Sequence, residues 1–241
     1  MKTTKPKQQQ NQRLILQAAV DLMSVQGFDG TSMKQIARSA GLGDATIYKY
    51  FPTKEKLVLG YFEGVVASAL ADTLATKGFD GFYLQERLQR LVDALLERLL
   101  ADREFVEVAR GLFGKSPMLL MGDTLPGKAA LKDAVVGFIE AAEADASIAP
   151  CDFKPLIGGL FADYLVAVIA YWIKDSSEEF SDTTRLVDLT LSVLVQALES
   201  GVLNKVSELA GFMLRSQLAR LMQNGSALVD LVQLARPLVK R

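Results

Sequence analysis

The sequence contains no histidine and only one cysteine, Cys151, among its 241 residues. The absence of histidine excludes serine–histidine and cysteine–histidine catalysis and every metal site with an imidazole ligand. A single cysteine cannot form a disulfide within the chain, which is typical of a reducing compartment. The chain also has no phosphate-binding glycine loop and no nucleophile elbow. We therefore expect a cytoplasmic protein that is not an enzyme and holds no metal and no cofactor.

Aromatic residues are scarce as well, at 8%, whereas 50% of the residues are hydrophobic. Leucine, alanine and valine dominate the apolar content, and the apolar positions recur at helical spacing without an alternating strand pattern. The sequence therefore predicts an all-α fold. Beyond the first 80 residues, the predicted helices are Leu84–Leu100, Arg103–Phe113, Lys128–Ala144, Phe153–Lys174, Thr183–Ser200, Val202–Asn224 and Ser226–Val239.

The net charge of −1 hides an uneven distribution along the chain. Residues 1–60 carry nine Lys and Arg against four Asp and Glu, whereas residues 61–241 carry 18 against 24. A basic N-terminal part followed by an acidic remainder predicts an anionic partner for the first part only. Residues 1–12 are polar and basic, lack the apolar run of a signal peptide, and are predicted to form a flexible arm.

The basic part that follows this arm has the pattern of a helix-turn-helix. Apolar residues at helical spacing predict a first helix that ends at Gly27. Thr31 or Ser32 can cap a second, short helix, which Gly41 ends. A third helix, Asp44–Tyr50, follows at once, and two short helices joined by a tight glycine-containing turn are the defining feature of this motif.

The second helix of such a motif, which is the third helix of this chain, is the recognition helix and lies with its N-terminal half in the major groove of DNA. Ala45 is small enough for close approach, Thr46 can hydrogen-bond a base edge, and Lys49 can reach a guanine or a phosphate. The hydroxyl groups of Tyr48 and Tyr50 can donate to phosphates, which fixes the register of the protein on the duplex. These residue types predict double-stranded DNA as a partner.

The run from Arg13 to Leu57 resembles the DNA-binding domain of the tetracycline-repressor (TetR) family of bacterial transcription regulators. The resemblance rests on "AA" and "L" before "GF", "TS" followed by "IA", the turn "AGL", and "IYKYFPTKEKL". It implies that Tyr48, Lys54 and Thr31 contact the DNA backbone. The predicted DNA-binding set is Thr31, Ser32, Lys34, Asp44, Ala45, Thr46, Tyr48, Lys49, Tyr50 and Lys54.

Two positions depart from the family pattern. Gly43 stands where a serine or threonine cap is common, so Asp44 is expected to take over the capping of the third helix. An acid at position 44 repels phosphate unless it caps the helix or accepts a hydrogen bond from a cytosine amino group.

The resemblance also implies an all-helical C-terminal domain that dimerises and holds a small-molecule pocket. The helices Phe153–Lys174 and Thr183–Ser200 are the predicted dimer pair, because two such helices from each subunit form a four-helix bundle across a two-fold axis. A two-fold operator likewise needs two recognition helices. The predicted interface residues are Leu186, Leu189, Val193, Leu194 and Leu198, which share one helix face.

A mainly apolar pocket rich in Met and Phe would suit a lipophilic effector. Asp163 would be its polar group or could bind a cation, since a lone buried carboxylate needs a partner. Plain packing in the core is the alternative for each of these residues. The predicted pocket set is Phe105, Phe113, Met118, Met121, Phe138, Phe161, Asp163, Tyr164 and Trp172.

Two segments raise the question of membrane contact. Leu156–Ile173 reaches the lower length limit of a membrane span, but the central Asp163 favours a buried helix. The amphipathic segment Val202–Asn224 can cover the C-terminal domain, swap onto a partner subunit, or lie on a membrane surface. We expect packing on the domain rather than membrane contact.

The predicted organisation is an arm over residues 1–12, a helix-turn-helix domain over 13–60, and a helical effector-binding and dimerisation domain over 61–241 with extra helices from about residue 202. The predicted function is a homodimeric repressor that binds a palindromic operator and is released by a small, lipophilic effector. The alternative is a lipid-binding accessory protein of the same fold, without a DNA target and with a membrane-contacting C-terminal helix.

Overall fold

The structure, a computed structural model, describes residues 5–115 and 127–223. Within these two ranges all the regular structure is helical, which confirms the predicted all-α class. Short 3₁₀ turns at Phe79–Gly81 and Glu178–Phe180 accompany the main helices. These are α1 (Lys5–Gly30), α2 (Met33–Ser39), α3 (Asp44–Tyr50), α4 (Lys54–Leu74), α5 (Leu84–Leu100), α6 (Arg103–Lys115), α7 (Lys128–Ala144), α8 (Lys154–Trp172), α9 (Ser181–Glu199) and α10 (Val202–Gln223).

The start of the chain differs from the prediction, because α1 begins at Lys5 and residues 5–12 are helical rather than a flexible arm. Lysine and glutamine, which fill this stretch, are good helix formers, and no proline or glycine follows Pro6 until Gly27. The helical backbone is interrupted at Gly27, at φ 73° and ψ 171°, where the sequence predicted the end of the helix.

The first three helices share a small apolar core. Ile15 and Met23 of α1, Ile36 of α2 and Ile47 of α3 are fully buried. Phe51, at the end of α3, is also buried in the same core cluster. Because each short helix contributes one or two such side chains, α3 is fixed against α1 and α2 with its opposite face toward solvent.

Helices α4 and α6 connect this N-terminal unit to the rest of the chain. The hydroxyl of Tyr61 on α4 donates to the carboxylate of Asp102, which precedes α6, at 2.8 Å. Burial, together with this hydrogen bond, raises the pKa of the Tyr61 phenol well above its ordinary value. α1 packs on α6, and α4 packs on α1, α5 and α7. The N-terminal unit therefore rests directly on the C-terminal domain.

The C-terminal domain is a bundle in which α5 supplies a continuous apolar face. Leu88, Leu91, Leu95 and Leu99 recur at helical spacing and are buried. α7 and α8 cross closely at Gly158, where a Cβ atom would lie 2.8 Å from the backbone oxygen of Lys132. The close crossing places α8 beside α7 along its length. The side of α8 that carries Leu156 and Leu160 is left exposed.

A hydrogen-bond cluster joins the end of α8 to the start of α9. The buried Asp175 carboxylate accepts from the hydroxyls of Ser177 and Thr183, at 2.6 and 2.5 Å, and from both backbone N–H groups. These hydrogen bonds, first those from the two hydroxyls, lower the pKa of Asp175 well below its ordinary value. Arg103 donates to the carbonyls of Ile173 and Asp175, at 3.0 and 2.9 Å. α6, α8 and α9 are thus tied at one point.

α10 leaves the bundle at Gly201, whose φ of 65° is the left-handed conformation that glycine adopts readily. The bend between α9 and α10 is 67°. Asn204 donates to the carbonyl of Pro150, but α10 makes few other contacts with the bundle. The predicted packing of this helix on the domain is therefore wrong for most of its described length. The predicted helix Ser226–Val239 lies outside the described residues.

Two described helices, α4 and α8, are long and apolar enough to span a membrane by length and composition alone, and the bent pair of α9 and α10 would add a third. In the structure one side of α8 packs against other helices of the domain. Ile157, Phe161, Leu165 and Trp172 form its buried side, and Leu156 and Leu160 are exposed. The expectation of a buried helix is therefore met on one side of α8 only.

Candidate nucleic-acid interface and ligand cavity

The helix-turn-helix is built by local hydrogen bonds that the sequence encodes. The Ser32 hydroxyl accepts from the Gln35 N–H, and the Gln35 side chain accepts from the Ser32 N–H, so the two form a capping box at the start of α2. Gly41, at φ 68°, ends the helix, and the Leu42 N–H donates to the carbonyl of Ala37. Both predicted signals, the serine cap and the glycine stop, are where the sequence placed them.

α3 presents its polar face to solvent, as predicted. Tyr48 is 53% exposed, and Ala45 and Lys49 are also exposed. Thr46 is half-buried beside them. The hydroxyl of Tyr50 is half-buried and accepts a hydrogen bond from the Asn11 side chain at 3.0 Å. The free face of α3 thus combines a small residue, a phenol and a cation, which can meet base edges and phosphates.

The first turns of α1 extend this basic surface, which the sequence analysis missed. Asn11 reaches Tyr50 from α1, so this part of α1 lies beside the recognition helix. Lys7 lies one turn earlier on the same side of α1 and is exposed. The basic composition of this stretch was visible in the sequence, but its helical form and its position beside α3 were not.

The start of α3 has no side-chain cap. Gly43 occupies the cap position and has no side-chain oxygen, and Asp44 is the first residue of the helix rather than a substitute cap. The Asp44 carboxylate instead lies 4.0 Å from the ammonium of Lys34 on α2, and both side chains are exposed. The prediction of capping by Asp44 is therefore wrong, and the weak ion pair offsets part of the negative charge on this face.

Thr31 and Lys54 point into the protein, contrary to the prediction of backbone contacts. Thr31 is 2% exposed, and its hydroxyl donates to the carbonyl of Gly27 at 2.8 Å. The Lys54 ammonium donates to the carbonyls of Phe28 and Thr31 and lies 4.3 Å from the centre of the Phe28 ring. The partial negative charge of the carbonyl groups at the end of α1 attracts this cation, which ties α4 to the end of α1.

A cavity of about 510 Å³ lies between α4, α5, α6, α7 and α8. Its described walls are almost wholly apolar, with Arg110 the single lining side chain there that carries nitrogen or oxygen. The lining residues are Phe62, Val65, Val66, Leu95, Leu99, Val106, Arg110, Phe113, Gly114, Leu131, Ala162, Leu165, Val166, Ile169, Ala170 and Ile173.

Of the predicted pocket residues that the structure describes, Phe113 alone lines this cavity, and the others lie elsewhere. Phe138 packs edge-on against Phe79, and Trp172 packs against Phe180. Core packing, the alternative for these side chains, describes them better. Phe105 and Phe161 are likewise buried, and the Tyr164 hydroxyl shares a hydrogen bond with the Thr190 hydroxyl. Asp163 is exposed, and its carboxylate lies 2.7 Å from the ammonium of Lys128. Met118 and Met121 lie outside the described residues.

Arg110 is an exposed residue at the edge of the cavity and is held by Glu107. The Arg110 Nε donates to one carboxylate oxygen of Glu107 at 2.7 Å, and Nη2 donates to the other at 2.5 Å. These hydrogen bonds lower the pKa of Glu107, and the positive charges of Lys174 and Arg103 lower it further. The same hydrogen bonds raise the pKa of Arg110. The Arg110–Glu107 ion pair at this end of the cavity thus lies within the influence of two further cations, Lys174 and Arg103.

α8 and α9 share an exposed apolar face. Leu156 and Leu160 on α8, and Leu189 and Val193 on α9, are all more than half exposed. Leu198, by contrast, is 2% exposed and belongs to the core of its own chain, because the inner face of α9 turns it toward the bundle. Of the other predicted interface residues, Leu186 and Leu194 are half-buried, and Leu194 packs against the core.

Among the residues that the structure describes, no group of three or more His, Cys, Asp or Glu side chains is placed to hold a metal ion. Cys151 is buried and free.

The comparison with known families agrees with this geometry. The family model for bacterial regulatory proteins of the tetR family matches residues 15–61, which contain α2 and α3. The model for the tetracyclin repressor-like C-terminal domain matches residues 87–213, more than half of the chain. The first match covers the candidate DNA interface, and the second covers most of the helices around the cavity.

Relatives of the chain include bacterial regulator proteins. The fatty acid metabolism regulator protein of Bacillus subtilis is 36% identical over 63 residues, which are 26% of this chain and 30% of that protein. The regulator RutR of Escherichia coli K12 is 28% identical over 175 residues, which are 73% of this chain and 68% of RutR. The chain thus spans less than a third of the first relative and about two thirds of the second.

Solved structures show the same fold. GusR of Salmonella enterica is 21% identical with a TM-score of 0.56, and the match covers 83% of this chain and all of GusR. The repressor FadR of Thermus thermophilus, solved in complex with lauroyl-CoA, is 21% identical with a TM-score of 0.53 over 75% of this chain and 92% of FadR. With the two family matches, these likenesses lead to one assignment: the chain belongs to the tetR family of bacterial regulatory proteins, as a DNA-binding transcription regulator.

Proposed function

We propose that the protein is a homodimeric repressor that binds a palindromic operator in the bacterial cytoplasm and leaves it when a small lipophilic effector binds the cavity. The observation that carries this proposal is the exposed face of α3, where Tyr48 and Lys49 project from a helix held rigidly by Ile47. Such a face can enter a major groove and read it.

The proposed DNA contacts are restricted to side chains that the structure leaves accessible. Ala45, Thr46 and Lys49 would approach base edges, and Tyr48 would donate to a phosphate. Ser32, Lys34, Asp44 and Tyr50 lie around them, and Lys7 on α1 adds a further cation. Thr31 and Lys54 are not in this set, because their polar groups are bound within the protein.

Dimerisation is proposed through the exposed apolar face of α8 and α9. A palindromic operator requires two α3 helices about one DNA turn apart, which only a two-fold dimer supplies. Leu156, Leu160, Leu189 and Val193 would be buried in this interface, and soluble monomers rarely expose so contiguous an apolar face. The exposed apolar side chains of α10, which continues from α9, would extend the same interface.

The effector is proposed to bind in the cavity and to act through its walls. α4 contributes Phe62, Val65 and Val66 to the cavity, and the same helix carries Tyr61 and packs on α1. A ligand that favours one position of α4 over another changes the separation of the two recognition helices, and operator affinity changes with it. The apolar walls suit a lipophilic ligand.

The test of this function is in vitro selection of random duplex DNA on the purified protein. We expect the wild type to enrich a palindromic motif that the double variant Tyr48→Ala, Lys49→Ala loses, with each lost contact weakening binding by about 1–3 kcal/mol at fixed salt. No enrichment at low salt by a folded dimer would contradict DNA binding. Liposome co-sedimentation that depends on residues 202–223 would then support the lipid-binding accessory protein instead.

A further inference from the structure

The ligand cavity has one polar corner. Fifteen of its sixteen described lining residues are apolar side chains or glycine, and Arg110 is the sixteenth. Ile173 also lines the cavity, and the exposed Lys174 follows it directly in the chain. Arg110 is therefore the one cation of the described lining, and the charge of Lys174 acts on its partner Glu107 from outside the lining.

We propose that the cavity binds a single-chain anionic amphiphile, with the alkyl chain among the apolar walls and a carboxylate or phosphate head group at Arg110. The proposal deepens the proposed function by naming the chemical class of the effector. A planar guanidinium binds such oxyanions through two parallel hydrogen bonds, and that geometry is already realised with Glu107.

The charges at this end select the sign of the head group. Glu107 is the acid that holds Arg110, while Lys174 and Arg103 are near enough to lower the pKa of Glu107. An incoming anion can take one edge of the Arg110 guanidinium and is attracted by Lys174. Arg110 and Lys174 would both repel a cationic head group. A neutral head group would leave the Arg110–Glu107 ion pair unchanged. Elsewhere in the described walls an anion would be buried without a partner, which is costly.

The size and walls of the cavity fit the tail. A volume of about 510 Å³ lies within the usual range for small-molecule sites. Each buried methylene group contributes about 0.8 kcal/mol, so each added methylene should tighten binding roughly fourfold until the cavity is filled. An increase in affinity with chain length that then levels off is the expected behaviour of an enclosed tail.

The proposal is tested by calorimetric titration of the full chain with dodecanoate, dodecyl phosphate, dodecan-1-ol and dodecyltrimethylammonium, each below its aggregation concentration. We expect dodecanoate or dodecyl phosphate to bind about tenfold or more tighter than dodecan-1-ol, because a charge-assisted hydrogen bond adds to tail burial. The stronger of the two anions identifies the head group. Dodecyltrimethylammonium should bind most weakly.

Three variants make the test specific to Arg110. Arg110→Gln should remove the advantage of the anion and leave dodecan-1-ol binding unchanged, and Glu107→Gln should strengthen anion binding by removing the competing carboxylate. Arg98→Gln is the matched control, because Arg98 pairs with Asp72 and does not line the cavity. Equal binding of the alcohol and the anions by the wild type, no binding of any of them, or an unchanged anion preference in Arg110→Gln would overturn the proposal. The selection of random duplex DNA, measured separately, tests the proposed DNA-binding function independently of the ligand.

Discussion

Lys49 and Lys54 are five residues apart, yet their ammonium groups have different surroundings. Lys49 is exposed on α3, whereas Lys54 donates to two backbone carbonyls at the end of α1. A lysine that neutralises a phosphate releases counterions, and its removal lowers the salt dependence of DNA binding by about one unit of slope. A lysine bound to carbonyls contributes to folding stability instead, by about 1–3 kcal/mol.

We therefore expect Lys49→Met and Lys54→Met to separate two properties. Lys49→Met should lower the slope of log Kd against log salt by about one and leave the free energy of unfolding unchanged. Lys54→Met should leave the slope unchanged and lower the free energy of unfolding by about 1–3 kcal/mol. The slope comes from operator titrations at several salt concentrations and the stability from urea unfolding. A lower slope for Lys54→Met would mean that this lysine leaves the carbonyls to bind DNA.

For single residues, the sequence predicts which positions are exposed better than it predicts where a long side chain points. Tyr48 and Lys49 follow from the helical period, because Ile47 must face the core and its neighbours then face outward. The inward direction of Lys54 depends on where the broken end of α1 leaves its carbonyls, which lies 23 to 26 residues away in sequence. A local pattern contains no information about such a partner.

Among the helices, the crossing of α7 and α8 leaves no room for a side chain at Gly158. A Cβ atom on Gly158 would lie 2.8 Å from the Lys132 carbonyl oxygen and 3.2 Å from Val136, whereas a Cβ atom on Gly159 meets nothing within 4 Å. We expect Gly158→Ala to destabilise the protein by about 1–3 kcal/mol, since a backbone atom cannot give way as a side chain can.

Gly159→Ala is the matched control for that substitution. It places the same methyl group one residue further along the same helix and should be neutral or stabilise the protein by up to about 1 kcal/mol, because alanine favours the helix over glycine. Thermal unfolding of both variants gives the comparison. Equal stabilities would show that α7 and α8 are further apart than the structure places them.

The link between α8 and α9 predicts a pH dependence. Asp175 has a pKa below its ordinary value of 3.8, because Ser177 and Thr183 donate hydrogen bonds to its carboxylate. A group with a lowered pKa in the folded state stabilises that state above its unfolded pKa and loses the contribution as the pH falls below it. Asp175→Asn should therefore lower Tm at neutral pH and lose less Tm than the wild type between about pH 5 and pH 3.

The exposed Asp152 supplies the control for this measurement, because Asp152→Asn removes one carboxylate from the same domain without touching the cluster. Thermal melts of the three proteins across this pH range decide the matter. Parallel Tm curves for the wild type and Asp175→Asn would contradict a stabilising role for the carboxylate.

Helix positions could be predicted from the sequence because their signals are local. Ser32 caps α2 as expected, and α5 and α7 match their predicted bounds. The cavity could not be predicted in the same way. It forms where five helices leave a gap, and Phe138 and Trp172 were misplaced because a buried aromatic fills a core as readily as it lines a pocket.

For the whole molecule, the uneven charge and the apolar face have a joint consequence. In the proposed dimer, the basic N-terminal units act as a pair on a palindrome, and the exposed apolar face of α8 and α9 holds the pair together. Leu189 and Val193, which are 55% and 68% exposed, lie on that surface. The excess of acidic residues beyond residue 60 would disfavour contact of the remaining domain with DNA, so that the two N-terminal units alone would meet it.

The double variant Leu189→Lys, Val193→Lys should therefore be monomeric and bind the operator poorly. Loss of two buried apolar side chains per subunit should raise the dissociation constant of the dimer about a hundredfold or more. The lysines introduced on the two subunits should also repel each other. Sedimentation equilibrium measures the dimer constant, and operator titration of the same samples measures DNA affinity. Leu74→Lys, on an equally exposed leucine at the end of α4, should leave both unchanged. A double variant that remained a dimer would place the interface elsewhere, with the exposed side chains of α10 as the next surface to substitute.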